Sequence, residues 1–123
     1  MLGEKAKTII AIDCMGGDLG EHEVLKGITK AYTKNKSLFF LIHGVGSKMP
    51  SLLKKQKRLT GAYSYIPAKQ TVSMDEKPSQ ALRTGRETSM WRALESVAKG
   101  EAKVAVSCGN TGALMAMSMV QLR

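Results

Sequence analysis

Three short stretches of this sequence carry the residue types that chemistry needs. Residues 107–112 read SCGNTG, so Gly109 and Gly112 flank Asn110 and Thr111 just after an apolar run. Glycine lets backbone N–H groups approach a ligand with no Cβ in the way. A helix starting here adds unpaired amides and a partial positive charge. GNTG is therefore a cradle for phosphate or an oxyanion, with the Asn110 amide and the Thr111 hydroxyl as further partners. The same residues also suit an ordinary helix cap, because Asn and Thr accept from first-turn amides. Residues 13–18, DCMGGD, set Asp13 and Asp18 around Gly16 and Gly17. Two carboxylates repel a phosphate unless a cation lies between them. Asp18 reads as a cap for the next helix, and Asp13 as the residue that holds a loop or orients a basic group. Lys77, Arg83 and Arg86, in the segment before Ser89, are candidate anion ligands or solvated surface charges.

Other chemistries fit poorly. A dinucleotide fingerprint needs G-x-G-x-x-G after the first strand, and Met15 stands where its first glycine belongs. The second strand ends in His43 and Gly44, with no acid for a ribose hydroxyl, and the phosphate-loop pattern G-x-x-x-x-G-K-[ST] does not occur. Cys14 and Cys108 end two strands and have no partner histidine, so a thiolate nucleophile is not expected. No CxxC or histidine pair suggests zinc, and no metal or cofactor is expected.

These turns need a scaffold, and the apolar pattern supplies one. Residues 8–13 (TIIAID), 37–44 (SLFFLIHG), 62–67 (AYSYIP) and 103–108 (KVAVSC) are continuous apolar runs, which predict buried strands. From Glu21, the residues Val24, Leu25, Ile28, Ala31 and Tyr32 recur at helical spacing. Ser47 is placed to cap a helix that carries Pro50 near its first turn. Residues 68–77 read as a loop, and Pro78 opens a short helix that Gly85 interrupts. Residues 87–100 predict an amphipathic helix with a buried stripe of Met90, Leu94, Val97 and Ala98, ended by Gly100. Asn110 or Thr111 begins a last helix through Leu122. The order βαβαβααβα with unbroken apolar strands predicts a parallel sheet covered on both faces. In such sheets ligands collect beyond the carboxyl ends of the strands, where both glycine turns fall.

At 123 residues this is one domain's worth of chain, and no apolar run approaches the length of a membrane span. The net charge of +9 is unevenly spread. Between Val24 and Met74 there are ten lysines and arginines and no acid, so that span carries +10 and the remainder −1. Such a span attracts an acidic protein, an anionic lipid surface or nucleic acid, or it is a solvated lysine face. Nucleic acid is the weakest of these, because aromatics make up only 5% and none are interleaved as stacking platforms.

Together, IAIDCMGGDLG, MDEKPSQALRTGRETSM and SCGNTGALMA resemble three ordered blocks of the bacterial phosphate acyltransferases of phospholipid synthesis, the PlsX family. The likeness extends over essentially the whole chain and about the first third of a full-length member. It implies the N-terminal part, 1–123, of a single three-layer α/β/α domain, Rossmann-like and truncated, related to the isopropylmalate dehydrogenase and phosphotransacetylase folds. It also implies conversion of acyl-[acyl carrier protein] and inorganic phosphate into acyl phosphate, by a cytoplasmic homodimer loosely associated with the membrane. Carried over by position, Asn110 and Lys77 are the expected catalytic residues. Asp13, Gly16, Gly17, Asp18, Arg83, Ser89, Gly109, Thr111 and Gly112 are the expected phosphate- or substrate-binding residues. Cys14 and Cys108 stand where the family pattern has alanine, Thr88 where it has serine, and Gly85 where a basic residue is common. A chain ending at Arg123 is expected to be inactive alone and to expose an apolar strand edge that favours dimerisation.

Overall fold

The structure is a computed structural model that describes residues 6–16 and 20–123. Gly17 and Asp18 lie outside the described residues, and so do the expectations attached to them.

The four predicted strands form as β1 (Thr8–Asp13), β2 (Leu38–Gly44), β3 (Tyr63–Pro67) and β4 (Val104–Ser107). All pair in parallel, in the order β3-β2-β1-β4. The first strand in sequence is thus central, with β2 on one side and β4 on the other. Register puts Asp13 opposite both His43 of β2 and Ser107 of β4, in one row at the carboxyl ends of the strands.

Helix α1 (Gly20–Lys34) carries Glu21 and Glu23 in its first turn and Lys34 in its last, each favourable to the helix dipole. It packs with α2 (Lys48–Lys55) and a 3-10 turn at Lys57–Leu59 over one face of the sheet. There Ile12, Phe40 and Ile42 meet Leu25, Ile28 and Leu53. The opposite face is covered by α4 (Ser89–Ala98), where Ala11 meets Ala93 and Ala102. Alanines on both sides of that contact let the helix backbone come close to the sheet. Helix α3 (Pro78–Thr84) and α5 (Thr111–Gln121) pack against each other, and α5 also packs on α4. Val72, Ala81, Met90, Trp91, Ala113 and Met117 fill the space between them. The result is a three-layer Rossmann-like α/β fold in which none of the described helices is long and apolar enough to cross a membrane.

Three expectations are corrected. In α4, Ala98 is exposed, whereas Trp91, Ala93 and Ser96 are buried with Met90 and Leu94. The helix is wedged between the sheet and α5, so it buries two faces instead of a single stripe. Ser47 does occupy the N-cap position of α2, but with φ −108° and ψ −1° it makes no capping bond. A capping side chain needs extended backbone to reach the first-turn amides, and helical ψ turns it away. The sheet is also not covered evenly. Val104 and Val106 of β4 are 47% and 46% exposed, because α1 lies over β1 and β2. A mostly apolar groove of about 310 Å³ runs between α1 and β4, with Ile10, Ile12, Val24, Ile28 and Val106 among its walls.

Phe40 is 2% exposed at the centre of the larger cluster. Phe40→Ala removes a ring that its surroundings refill only partly, and is expected to cost about 3–5 kcal/mol. Urea unfolding followed by the fluorescence of the single tryptophan, Trp91, measures it; a loss below about 1 kcal/mol would mean that this cluster is not packed as described.

Candidate anion-binding site

The row at the sheet's carboxyl end is fastened by one carboxylate. Asp13 is 3% exposed and accepts from three donors. The Ser89 hydroxyl donates to Oδ1 at 2.6 Å, the Ser107 hydroxyl to Oδ2 at 2.8 Å, and the Met15 amide to Oδ1 at 3.1 Å. One side chain therefore ties β1 to the first turn of α4 and to the end of β4. Burial pushes the Asp13 carboxyl above its ordinary value, while the hydrogen bonds from Ser89, Ser107 and Met15 pull the other way.

The two glycine turns that follow β1 and β4 touch. Gly16 has φ +79°, and a Cβ there would lie 2.9 Å from the Gly109 Cα, so a side chain is excluded twice over. Ser107 Oγ, while donating to Asp13, accepts from the Gly109 amide at 3.1 Å. The carboxylate, the serine and the second turn thus form one chain of hydrogen bonds.

Asn110 fixes the turn from the other side. It caps α5 by accepting from the Ala113 amide through Oδ1 at 3.1 Å. Its Nδ2 donates to the carbonyls of Ser73, at 3.0 Å, and Glu76, at 2.8 Å, in the loop before α3. Pro78 lies against Gly112, where a Cβ would come within 2.9 Å of the Pro78 Cγ. Lys77, between these two anchors and exposed, is the N-cap residue of α3. The three stretches that carry the chemistry-bearing residues therefore converge on one end of the sheet.

Four first-turn amides can be accounted for. The Leu114 amide bonds the Asn110 carbonyl, and the Ala113 amide bonds the Asn110 side chain. The amides of Thr111 and Gly112 have no acceptor among the described residues. They lie at the positive end of an 11-residue helix, with Thr111 exposed and Gly112 half-buried. Two free donors and a helix dipole at a solvent-facing helix start make a place that suits an anion.

Several predicted ligands sit differently from what their residue types suggested. Ser89 is fully buried, and its hydroxyl is engaged by Asp13. The Gly109 amide is engaged by Ser107, and the Asn110 side chain by the cap and the loop. Arg83 is exposed in the last turn of α3, with no hydrogen bond or ion pair among the described residues, and Arg86 lies 5.2 Å over the Trp91 ring. Gly85 leaves no room for a side chain, since a Cβ there would be 2.2 Å from the Ala81 carbonyl oxygen. His43 is buried with Nε2 3.2 Å from the Ser96 hydroxyl. Burial first, then Arg92, pushes its pKa down to about 4, so it is neutral at pH 7. Burial beside Asp13 and Glu21 pushes the Cys14 thiol up to about 12, which leaves it inert; both cysteines are free. Among the described residues no group of three His, Cys, Asp or Glu side chains could hold a metal. Ser107 carries no motif; its only signal is a hydroxyl at a strand's carboxyl end, in register with an acid.

A parallel sheet with Gly16 against Gly109 at its carboxyl edge, beside the start of α5, defines a Rossmann-like α/β protein with its candidate ligand end at that edge. The chain belongs to the family described as "Fatty acid synthesis protein", whose profile matches residues 8–123. It is 50% identical over 117 residues to a phosphate acyltransferase of Ruegeria sp. (strain TM1040), an alignment covering 95% of this chain and 31% of that protein. It is 48% identical over 116 residues to a phosphate acyltransferase of Jannaschia sp. (strain CCS1), covering 94% and 32%. With a phosphate acyltransferase of Paracoccus denitrificans (strain Pd 1222) the identity is 46% over 121 residues, covering 98% and 33%. The chain thus spans about a third of the length of these relatives.

Because the Asp13 carboxyl is held above its ordinary 3.8, the folded state keeps this proton at pH values where the unfolded chain has lost it. Its contribution to stability is fully present below that pH and declines as pH rises through the folded-state pKa. Asp13→Asn has no such proton. The unfolding free energy of the wild type minus that of the variant should therefore be largest near pH 3.5 and shrink toward neutrality, as read by urea titrations across that range. A difference that grows with pH would mean that the serine bonds outweigh burial and hold the carboxyl below its ordinary value.

Proposed function

We propose that this chain carries the phosphate-binding part of a phosphate:acyl-[acyl carrier protein] acyltransferase. The observation that carries the proposal is the pair of amides at Thr111 and Gly112 that have no acceptor among the described residues, beside the Asn110 cap at the mouth of the sheet. The relatives' name, phosphate acyltransferase, agrees with an anion at that position. In the proposed reaction a phosphate oxygen attacks the thioester carbonyl carbon. The new C–O bond forms, the C–S bond breaks, and the carrier thiolate takes up the proton that hydrogen phosphate loses. The protein must hold a small dianion in place and stabilise charge that builds on the carbonyl oxygen. The Thr111 and Gly112 amides and the α5 dipole supply donors, and the exposed Lys77 ammonium supplies charge. Asn110 positions the amides through its cap and its loop contacts, and Asp13 with Ser89 keeps the two glycine turns in contact. Arg83 and the exposed Thr111 hydroxyl are secondary anion partners on this proposal. The substrates would be the acyl carrier protein thioester and inorganic phosphate. A cytoplasmic homodimer that touches anionic membrane would be the working assembly, supported by the exposed valines of β4 and by Met115 and Met119 of α5.

A second possibility is favoured by the coverage. The matched region is 31% of the Ruegeria sp. (strain TM1040) protein, so the remaining length of that relative has no counterpart in these 123 residues. On this view the chain binds phosphate without turnover. Assaying the purified chain for acyl phosphate separates the two, since sustained formation of product would rule out the second.

Asn110→Ala is a poor probe of the anion, because it also releases the cap and the loop. Thr111→Pro is cleaner: it deletes one bare amide at the first helical position, where proline is tolerated. Asn110 already has extended backbone, φ −63° and ψ 112°, as a residue before proline requires. The variant should melt within a few degrees of the wild type and bind inorganic phosphate about tenfold more weakly in calorimetric titration, in line with one charge-assisted hydrogen bond. Unchanged affinity would remove these amides from the site.

A further inference from the structure

A second charged feature lies away from the glycine turns. Between α1 and the 3-10 turn at Lys57–Leu59 runs a groove of about 500 Å³, walled by Lys26, Lys30, Lys34 and Arg58, with Thr29 and Thr33 between the lysines. All four cations are exposed. Lys26 has Glu23 at 3.0 Å, but Lys30, Lys34 and Arg58 have no carboxylate within ion-pair distance among the described residues. The acid-free stretch from Val24 to Met74 explains why none is at hand. Lysines at i, i+4 and i+8 repel one another along a helix, so the arrangement works against α1 unless negative charge arrives from outside. Thr29 adds a buried hydroxyl with no hydrogen-bond partner among the described residues.

The shape narrows what that charge belongs to. The three lysines recur every ~6 Å along α1, the rise of four helical residues, which is the period of carboxylates on one face of another helix. The hollow is concave, so a flat bilayer surface cannot fill it. None of the large apolar side chains exposed among the described residues lines it to insert into lipid. No Phe, Tyr or Trp ring among the described residues lines it to stack on a base, and His22 is the one ring there.

We infer that the α1 groove is the docking surface for an acidic helix of a protein partner. Identifying that partner with the acyl carrier protein rests on the function proposed above. Docking would orient the carrier through rim charges that act mainly on encounter and register.

The test uses the 123-residue chain, purified bacterial acyl carrier protein carrying a fluorescent label, and anisotropy at roughly 50 and 200 mM salt. The triple variant Lys30→Glu, Lys34→Glu, Arg58→Glu is compared with Lys48→Glu, Lys54→Glu, Lys55→Glu, which makes the same charge change on α2, outside the groove. Circular dichroism checks that each folds, and phosphate titration reports on the glycine turns separately. The groove variant should lose at least tenfold in affinity for the carrier and the α2 variant less than threefold, with phosphate binding unchanged in both. Equal losses would reduce the effect to net charge and overturn the assignment, as would no loss in either. Groove-dependent binding of phosphatidylglycerol vesicles without carrier binding would overturn it in favour of lipid. Wild-type chain that binds phosphate but not the carrier would overturn the docking and leave the anion site standing.

Discussion

A buried carboxylate is the constraint on which the carboxyl end of this sheet depends. Asp13 stands in the central strand, and its three donors come from the start of α4, the end of β4 and the backbone of its own turn. Burying an ionisable group is unfavourable unless its hydrogen bonds are made, and here each oxygen has at least one. Removing the carboxylate would leave two serine hydroxyls without their acceptor, one of them fully buried, at the junction of three elements. The position of α4 over the sheet and the approach of Gly16 to Gly109 both follow from this junction, and that approach is why Gly16 cannot carry a side chain.

From that junction, order passes outward through hydrogen bonds and close packing. Ser107 relays it from the carboxylate to the Gly109 amide. Asn110 relays it onward to the carbonyls of Ser73 and Glu76, and Pro78 lies flat on Gly112. A loop of polar residues with little core of its own is thereby held against a helix start. The amides left over, those of Thr111 and Gly112, have no acceptor among the described residues. On the function proposed, an anion would meet donors already in place, which need no rearrangement to receive charge.

The architecture was legible because unbroken apolar runs and helical spacing record burial on two faces directly. The strands at 8–13 and 37–44, the helix from Pro78 and the capped start of α5 all follow from local rules. What local rules cannot see is a partner far away in the chain. Ser89 and Ser107 reach Asp13 across 76 and 94 residues, and no periodicity connects them. Ser89 therefore reads in sequence as a ligand, and Ser107 as nothing in particular. A single stripe on α4 is too narrow for a related reason: a period of 3.6 predicts one buried face, whereas α5 presses on a second.

The strand order has a consequence for the chain as it is made. The ribosome releases β1 first, yet β1 is central, and one of its two neighbours is the last strand of the sheet. Asp13 must wait 94 residues for Ser107, which at ~5–20 residues per second is on the order of 5–20 s of synthesis. Through that interval the nascent sheet has an open ladder beside Ile10 and Ile12, and the acid that will close the fold is still hydrated. Contacts this distant in sequence are slow to form and leave sticky intermediates. The junction that ties three elements together when finished is therefore open to misassociation while it is being born.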